Sequence, residues 1–391
     1  MIKECEIPDV RDGLTTLQRR ILWTMKNMGL SSKRSYSIAI DVTNAVAKGE
    51  NLDGFEHRCG WIDTADYGYF GVYNIIYCDN IVKMTQNFRY PFPLIQGHGN
   101  FGIITGEYNA AAQRFTGCRL SEFSKKLLLS GLNQRIVKYI AKPNRINGKE
   151  PSILPVAIPN VLVSGTSGSS HIPPHNLGEV IDAVIAMIKN PNLKPEELFE
   201  YIKGPDFPTG GTIINKSELP EIYQNGAGEI RIRGTMKTGT SDEGEQQIVI
   251  KEIPYTMICM VEELIENIEH IKRSCVLPNI ISIENSGSRR QKINIIITLN
   301  KSADIQNYTE LLYEYTNLES SFDYRALLNS NEKPCLMSLH QILYEWLDFY
   351  RETKTKQNGG VTPADDELID KLQEIKDQFA TPRKTKIIDA M

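Results

Sequence analysis

The sequence predicts an α/β (α+β) protein, because segments with helical spacing of apolar residues are interspersed with segments that alternate like strands. Apolar side chains recur at helical spacing over residues 14–28 and 338–356. Residues 228–233 and 247–253 alternate apolar and polar side chains, which is typical of half-buried β-strands. The 391 residues are 41% hydrophobic and 24% charged, an ordinary composition for a folded globular protein.

The first 150 residues are predicted to be mainly helical. The predicted helices cover residues 14–28, 35–48, 72–88 and 120–129. The first carries Arg19 and Arg20 on or near its exposed side, and the last carries Lys125. The first two helices form a candidate helix-turn-helix, a unit that can bring guanidinium groups to a DNA backbone.

A glycine-rich stretch lies at the centre of this half. It reads Gln96, Gly97, His98, Gly99, Asn100, Phe101, Gly102. Three glycines in seven residues predict a tight turn whose backbone can approach a ligand, although an ordinary tight loop explains the same pattern. The small residues that follow lead to Arg114 and Phe115.

The remaining chain is predicted to alternate helices with strands and to form two further domains. Proline, asparagine and glycine are frequent over residues 143–159, so the first boundary is placed near residue 150. Predicted helices cover residues 176–189, 195–203, 261–273, 338–356 and 363–379. Predicted strands cover residues 161–163, 228–233, 247–253 and 292–299. The domains are therefore predicted as residues 1–150, 151–337 and 338–391.

The charge is divided unevenly along the chain. The formal net charge is −4, but residues 1–150 carry 20 Lys+Arg against 14 Asp+Glu, while residues 151–391 carry 24 against 34. The basic first part is suited to phosphate groups. The alternative is that two solvated surfaces differ in charge by chance.

Cysteine spacing and hydropathy exclude several classes. The seven cysteines are scattered and include no Cys-x-x-Cys pair, which argues against a disulfide framework and a zinc site. No apolar stretch is long enough to span a bilayer, and residue 1 opens without a signal sequence, so a cytoplasmic protein with no membrane association is expected.

Several sequence blocks, taken together, resemble the A-type, breakage-reunion subunit of bacterial type IIA DNA topoisomerases, the gyrase and topoisomerase IV family. They occur in the family's order and extend over most of the chain. Besides the glycine stretch, the blocks are Ile7-Pro8-Asp9-Val10-Arg11-Asp12-Gly13-Leu14, Gln18-Arg19-Arg20-Ile21-Leu22, Ile158-Pro159-Asn160-Val161-Leu162-Val163, Ile172-Pro173-Pro174-His175-Asn176-Leu177, Gly204-Pro205-Asp206-Phe207-Pro208-Thr209-Gly210-Gly211 and Glu252-Ile253-Pro254-Tyr255.

The resemblance implies an architecture and an activity. Residues 1–150 correspond to a winged-helix DNA-gate domain, residues 151–337 to an α/β tower domain, and residues 338–391 to a truncated helical hairpin. The family changes DNA topology in an ATP-dependent reaction through a transient double-strand break. The implied partners are double-stranded DNA, a second copy bound through the DNA gate, and a B-type subunit. ATP and Mg²⁺ are expected on that B-type subunit, because this chain has neither a P-loop nor an evident carboxylate cluster for a metal. The protein is expected to be cytoplasmic and associated with the chromosome.

The resemblance also implies site residues. The family's nucleophile is the tyrosine of an Ala-Ala-x-Arg-Tyr-Thr motif, and Phe115 occupies that position. Phenylalanine has no oxygen to attack phosphorus, so the chain is expected to be cleavage-deficient as written. Arg114 matches the arginine that stabilises charge on the scissile phosphate. DNA-binding residues are expected at Arg19, Arg20, Gln96, Gly97, Gly99, Asn100 and Lys125.

Three departures from the family are visible. Tyr67-Gly68-Tyr69-Phe70-Gly71 replaces a histidine-containing loop, and the passage at residues 164–170 lacks the segment whose isoleucine wedges between base pairs. Residues 358–360 stand where the family has the C-gate. These changes, like Phe115, are either engineered or natural. The alternative function is therefore a naturally non-catalytic DNA-binding or partner-sequestering paralogue.

Overall fold

The computed structural model describes residues 7–47, 68–141, 149–241, 244–274, 276–287 and 293–389, with the side chains of residues 68–75 left undescribed. Its α-helices in these ranges are α1 (Thr16–Asn27), α2 (Ala39–Ala47), α3 (Gly68–Thr85), α4 (Asn160–Ser164), α5 (Leu177–Lys189), α6 (Leu219–Asn225), α7 (Val261–Arg273), α8 (Ile305–Tyr315), α9 (Leu339–Gln357) and α10 (Asp365–Phe379). Short 3-10 turns cover Gln113–Phe115, Pro195–Glu200, Lys216–Glu218 and Tyr255–Met257, and a π-turn covers Ser124–Leu128.

The strands form several small sheets, most of them antiparallel. In chain order they are β1 (Ser37–Ile38), β2 (Ile95–His98), β3 (Gly117–Leu120), β4 (Tyr139–Ala141), β5 (Lys149–Pro151), β6 (Thr212–Ile213), β7 (Ala227–Arg233), β8 (Thr235–Thr240), β9 (Gln246–Glu252), β10 (Ile280–Asn285), β11 (Ile295–Leu299), β12 (Glu319–Arg325), β13 (Leu327–Ser330), β14 (Lys333–Leu336) and β15 (Lys386–Ile387). The mixture of helices and sheets confirms the predicted fold class.

A winged helix forms the first part of the described chain. Helices α1, α2 and α3 pack together, and the antiparallel sheet β1-β3-β2 lies beside them. Helix α1 begins at a capping box in which the side chains and backbones of Thr15 and Gln18 bond reciprocally. Ile21, Leu22 and Met25 project from α1 into the core. Residues 99–116 connect β2 to β3 and form the wing.

A second α/β unit is built on the antiparallel sheet β10-β11-β9-β8. Helices α7 and α8 cover this sheet, and alternate residues of β9 and β11 point into the core between them, including Ile250 and Ile297. A separate sheet, β12-β7-β6-β15, receives the C-terminal strand β15 parallel to β6.

The two C-terminal helices fold back on the main core. The helix predicted over residues 338–356 is α9. It begins at a capping box between Ser338 and Gln341, and its Trp346 is fully buried. Leu368 and Leu372 of α10 enter the same core. Residues 358–364 connect the two helices, and α10 packs against α5.

One local prediction is wrong, and another is correct in type but has different limits. Residues 161–163 were predicted as a strand but belong to helix α4. The prediction failed because all three side chains are fully buried, so the sequence lacks the periodicity that distinguishes helix from strand. The helix predicted over residues 120–129 is present but shorter. Residues 122–128 are helical, with π-type hydrogen bonding over Ser124–Leu128, and Leu120 is still paired in β3.

Some predictions fall partly or wholly on residues that the structure does not describe. Tyr67 of the histidine-free loop and residues 142–148 of the predicted domain boundary lie outside the described ranges. The largest buried cluster contains side chains from both sides of residue 150, for example Leu22 and Leu162. The division at residue 150 remains a prediction.

Candidate nucleic-acid interface

The wing is held together by the side chain of Asn100. Its Oδ1 accepts a hydrogen bond from the backbone N–H of Gly102 at 2.9 Å, and its Nδ2 donates to the carbonyl of Asn109 at 2.9 Å. The carbonyl of Asn100 also accepts from the backbone N–H of Ala111 at 3.0 Å. Asn100 therefore ties the two limbs of the wing to each other.

The glycines of the predicted turn are required by contacts inside the wing. A Cβ at Gly97 would lie 2.6 Å from the ring of Phe101. Gly99 has a φ of +100°, and a Cβ there would lie 3.1 Å from the carbonyl oxygen of Phe115. The close approaches at these two glycines are to residues of the same wing, and an approach to a ligand remains a prediction.

The wing also packs against the core of the second α/β unit. Ile104 is buried among the side chains of that core, and its carbonyl accepts a hydrogen bond from the backbone N–H of Cys259 at 2.8 Å. Gly106 has a φ of +83°, and a Cβ there would lie 2.2 Å from the carbonyl oxygen of Cys259. These contacts fix the wing against the turn that precedes α7.

Arg114 and Phe115 lie on the 3-10 turn at the end of the wing. The backbone N–H of Phe115 donates to the carbonyl of Ala112 at 2.8 Å, so the turn is closed. The Phe115 side chain is 68% exposed. The guanidinium carbon of Arg114 lies 4.7 Å from the centre of the Phe115 ring, which is the geometry of a cation–π pair.

A second cation–aromatic group lies on the sheet beside this turn. The guanidinium carbon of Arg119 is 4.2 Å from the centre of the Tyr36 ring, and Tyr36 lies against His98 with 5.2 Å between ring centres. Arg119 also donates from Nε to Oε1 of Gln96 at 3.0 Å, and from Nη1 to the carbonyl of Arg34 at 2.6 Å. Sequence reasoning missed Tyr36, His98 and Arg119 as a group, because only the β1-β3-β2 register brings them together.

The prediction that Arg19 and Arg20 lie on the exposed side of α1 is wrong. Arg19 is only 8% exposed, and it donates from Nε and Nη2 to the two carboxylate oxygens of Asp12 at 2.6 and 3.0 Å. Arg20 makes two hydrogen bonds of 2.9 Å with the carboxylate of Glu150. A buried guanidinium requires such a partner, and both carboxylates are themselves buried.

The predicted site residues are thus divided between two places. Arg19 and Arg20 line a cleft of about 500 Å³ with residues of the N-terminal segment, β5 and α9. Gln96, Gly97, Gly99 and Asn100 line a different cleft of about 810 Å³, together with Arg119. Arg114 and Phe115 lie on the turn next to this second group.

Lys125 lies on the π-turn Ser124–Leu128 and is exposed. Its neighbour Lys126 is paired with Glu122, with 2.9 Å between Nζ and Oε1, and lies over the ring of Phe379. The pKa of Glu122 is lowered, chiefly by the hydrogen bond from Lys126 and also by the charges of Lys33 and Lys125. Lysines therefore gather on the side of the winged helix that carries Arg119.

The described residues contain no group of three His, Cys, Asp or Glu side chains that could hold a metal ion. In the same part of the chain, no helix is both long and apolar enough to cross a lipid bilayer.

Comparison with known proteins supplies the family. Residues 75–388, which include the whole wing, match the model of the A subunit of DNA gyrase/topoisomerase IV. The chain belongs to this family. Similar proteins include the chloroplastic/mitochondrial DNA gyrase A subunit of Nicotiana benthamiana, which is 39% identical over 351 residues, 88% of this chain and 35% of the relative.

Bacterial A subunits are similar to nearly the same extent. The DNA gyrase A subunit of Metamycoplasma arthritidis is 36% identical over 352 residues, 88% of this chain and 36% of the relative. That of Halalkalibacterium halodurans is 36% identical over 349 residues, 87% of this chain and 38% of the relative. The chain spans about a third of the length of these relatives.

Proposed function

We propose that this chain is the DNA-binding breakage-reunion core of a type IIA topoisomerase, and that it binds duplex DNA without cutting it. Family membership supports the first part. The observation that carries the second is the exposed Phe115 ring beside the guanidinium of Arg114. Phe115 is exposed for contact with DNA and has the Arg114 cation beside it, but it lacks the oxygen that reacts in the family.

The chemistry explains why one atom matters. In the family reaction a tyrosine oxygen attacks a DNA phosphate, and the enzyme remains joined to the DNA end as a phosphotyrosine ester. Phenylalanine has no lone pair with which to attack. Tyr108 is the tyrosine of the wing, but it lies seven positions before Phe115 and on the other side of the Asn109–Ala111 segment that Asn100 holds. We do not expect Tyr108 to substitute.

The proposed DNA surface is centred on Arg114, Arg119 and Lys125. All three lie on the winged helix, and the guanidinium groups of the arginines lie over aromatic rings without a carboxylate partner among the described residues. Gln96, Gly97, Gly99 and Asn100 shape this surface. Arg19 and Arg20 are left out of it, because their charges are already neutralised by Asp12 and Glu150.

The partners follow from the same proposal. We propose that the chain forms a homodimer at the DNA gate and acts with a B-type subunit, because its relatives are named as the A subunit of DNA gyrase. The B-type subunit is the one to which ATP and Mg²⁺ are assigned. In the proposed complex, this chain binds and orients the duplex.

Phe115→Tyr tests the proposal. The substitution adds one hydroxyl to an exposed ring, so it should restore covalent cleavage when the chain is mixed with a family B-type subunit, Mg²⁺ and duplex DNA. The measurement is a denaturing gel that detects protein-linked 5′ DNA ends. The matched controls are the unmodified chain, which should give no linked ends, and the double variant Phe115→Tyr with Tyr108→Phe, which should cleave like the single one.

Two outcomes would contradict this proposal. Linked ends from the unmodified chain would show that another residue is the nucleophile. Their absence after restoration, with duplex binding intact, would favour a non-catalytic paralogue that binds DNA or sequesters a partner. The short connection at residues 358–364, where the family has the C-gate, supports that second candidate.

A further inference from the structure

The exposed Phe115 ring is unusual within the described part of the chain. Among its large hydrophobic side chains, only Val361, at 69%, is as exposed as Phe115. The turn that carries the ring is nevertheless anchored. Thr116, the next residue, is buried, and its carbonyl accepts a hydrogen bond from the backbone N–H of Ala39 at 2.9 Å. The exposed ring is therefore held on an anchored turn, where it is available for contact with a ligand.

One face of the ring is already occupied by a planar cation. The Arg114 guanidinium lies 4.7 Å from the ring centre, and the 68% exposure of Phe115 leaves the rest of the ring open to solvent. A guanidinium and an aromatic ring that are stacked in this way extend naturally to a third flat group. A nucleobase is flat, and the phosphate attached to it is attracted by the arginine.

The second cation–aromatic group lies next to the first. His98 on β2 is paired with Gly117 on β3, and Gly117 is two residues after Phe115. The backbone at Gly99 also lies against the carbonyl of Phe115. His98 is exposed and lies against Tyr36, whose ring carries the Arg119 guanidinium. Two aromatic platforms, each with its own arginine, therefore share one small surface.

This surface can bind both phosphates and base faces, and intact duplex DNA offers it only the phosphates. The base faces are covered by their neighbours in the stack, so an intact duplex presents phosphates to the arginines and no free base face to the rings. An unpaired nucleotide presents both. We propose that this surface, formed by Tyr36, His98, Arg114, Phe115 and Arg119, binds unpaired nucleotides and directs the chain to gaps and single-stranded tails in DNA.

This inference rests on the proposed DNA-binding function and adds a preference to it. Phe115 is the specificity-determining residue, because its ring contributes to DNA binding by stacking on a base and not by contacting phosphates. The arginines contribute affinity for any DNA through the phosphates. The preference for unpaired bases is therefore separable from duplex binding.

The test uses the full chain and three labelled DNAs of the same sequence: a blunt duplex, a duplex with a single-stranded tail, and a gapped duplex. Fluorescence anisotropy should give about tenfold tighter binding to the tailed and gapped DNAs, the effect of one base stacked on an aromatic side chain. Phe115→Leu should reduce that ratio to about one. Phe115→Tyr should keep the ratio, because the ring is retained. Tyr344→Ala, which removes an exposed aromatic side chain from α9, should change nothing.

A spectroscopic readout distinguishes stacking from a structural effect. A 2-aminopurine in the gap should lose fluorescence when the chain binds, because a stacked fluorescent base is quenched. The quench should disappear in Phe115→Leu and remain in Phe115→Tyr, while circular dichroism shows that both variants are folded.

Equal affinity for blunt and gapped DNA, or a preference that survives Phe115→Leu, would overturn the inference and leave the proposed function in place. Failure to bind any DNA would overturn both. If Phe115→Leu weakened binding of a B-type subunit while leaving the DNA preference unchanged, the ring would be a protein contact and the inference would again be wrong.

Discussion

Two pairs of arginines in this molecule have opposite surroundings. Arg19 and Arg20 on α1 are paired with the buried carboxylates of Asp12 and Glu150. Arg114 and Arg119 on the wing and its sheet lie over the rings of Phe115 and Tyr36. The first pair is neutralised inside the protein, whereas the second keeps its charge at the surface.

The difference shows that the fold, and not the residue type, decides what an arginine can do. Removing a guanidinium from water is expensive, and only a carboxylate with good geometry compensates for it. Where the fold supplies that carboxylate, the arginine holds segments of the chain together. Arg20, for example, links α1 to β5 across 130 residues. Where the fold supplies an aromatic ring, the charge remains available to a phosphate.

Loss of Arg19 should give the largest effect on stability. Arg19→Met leaves the Asp12 carboxylate buried without its partner, which should lower the free energy of unfolding by about 3–5 kcal/mol. Arg114→Met should change it by less than about 0.5 kcal/mol, because that side chain is exposed. Urea unfolding measures both, and equal effects would contradict the assignment of a structural role to Arg19 alone.

Histidines allow the same comparison of a buried with a half-buried group. His175 is buried, and its Nε2 lies 2.7 Å from the hydroxyl oxygen of Tyr223. Burial lowers the pKa of His175 to about 4. The unfolded chain therefore binds the proton first as the pH falls. The stabilisation is complete above pH about 6.5, and it should fall by about 3 kcal/mol between there and pH about 4.

Urea unfolding across this pH range checks the prediction for His175. His175→Gln should remove this part of the pH dependence, whereas His340→Gln, at a half-buried position on α9, should retain it. An unchanged pH dependence in His175→Gln would assign the effect to other groups.

Much of the fold follows from local pattern. The helix predicted over residues 261–273 has the same limits as α7, because its apolar positions repeat over nearly four turns with a polar opposite face. The strands predicted over residues 228–233 and 247–253 agree with β7 and β9 to within one residue at each end. Long amphipathic segments can therefore be predicted from their own pattern of apolar and polar residues.

The site follows less well, because its decisive contacts join distant parts of the chain. Nothing local indicates that Glu150 neutralises Arg20, or that Arg119 meets Tyr36, because these contacts depend on how β5 packs and on the sheet register. The strand predicted where helix α4 lies was wrong for a related reason, since a segment that is buried on all sides has no periodicity of apolar and polar residues. Sequence motifs identified the wing, and only three-dimensional packing identified which cations remain available.

The contributions of Arg114 and Arg119 to DNA affinity sharpen the comparison. Arg114→Ala and Arg119→Ala should each weaken duplex binding on all sequences alike, and each should reduce the slope of log K against log salt by about 0.9. Arg20→Met should leave that slope unchanged, because its guanidinium is paired with Glu150. Titrations at several salt concentrations give the slopes, and a lower slope for Arg20→Met would restore α1 to the DNA surface.

Lys125 gives the last comparison, and its neighbour provides a close control. Lys125 is exposed and has no ion-pair partner among the described residues, so Lys125→Ala should reduce the salt slope by about 0.9 with little change in stability. Lys126 is paired with Glu122, so it has less free charge to offer a phosphate and Lys126→Ala should change the slope less. Equal slopes for the two variants would mean that an exposed ion pair does not withhold its lysine from DNA, because such pairs contribute little. The rule drawn from the buried arginines would then apply only where water is excluded.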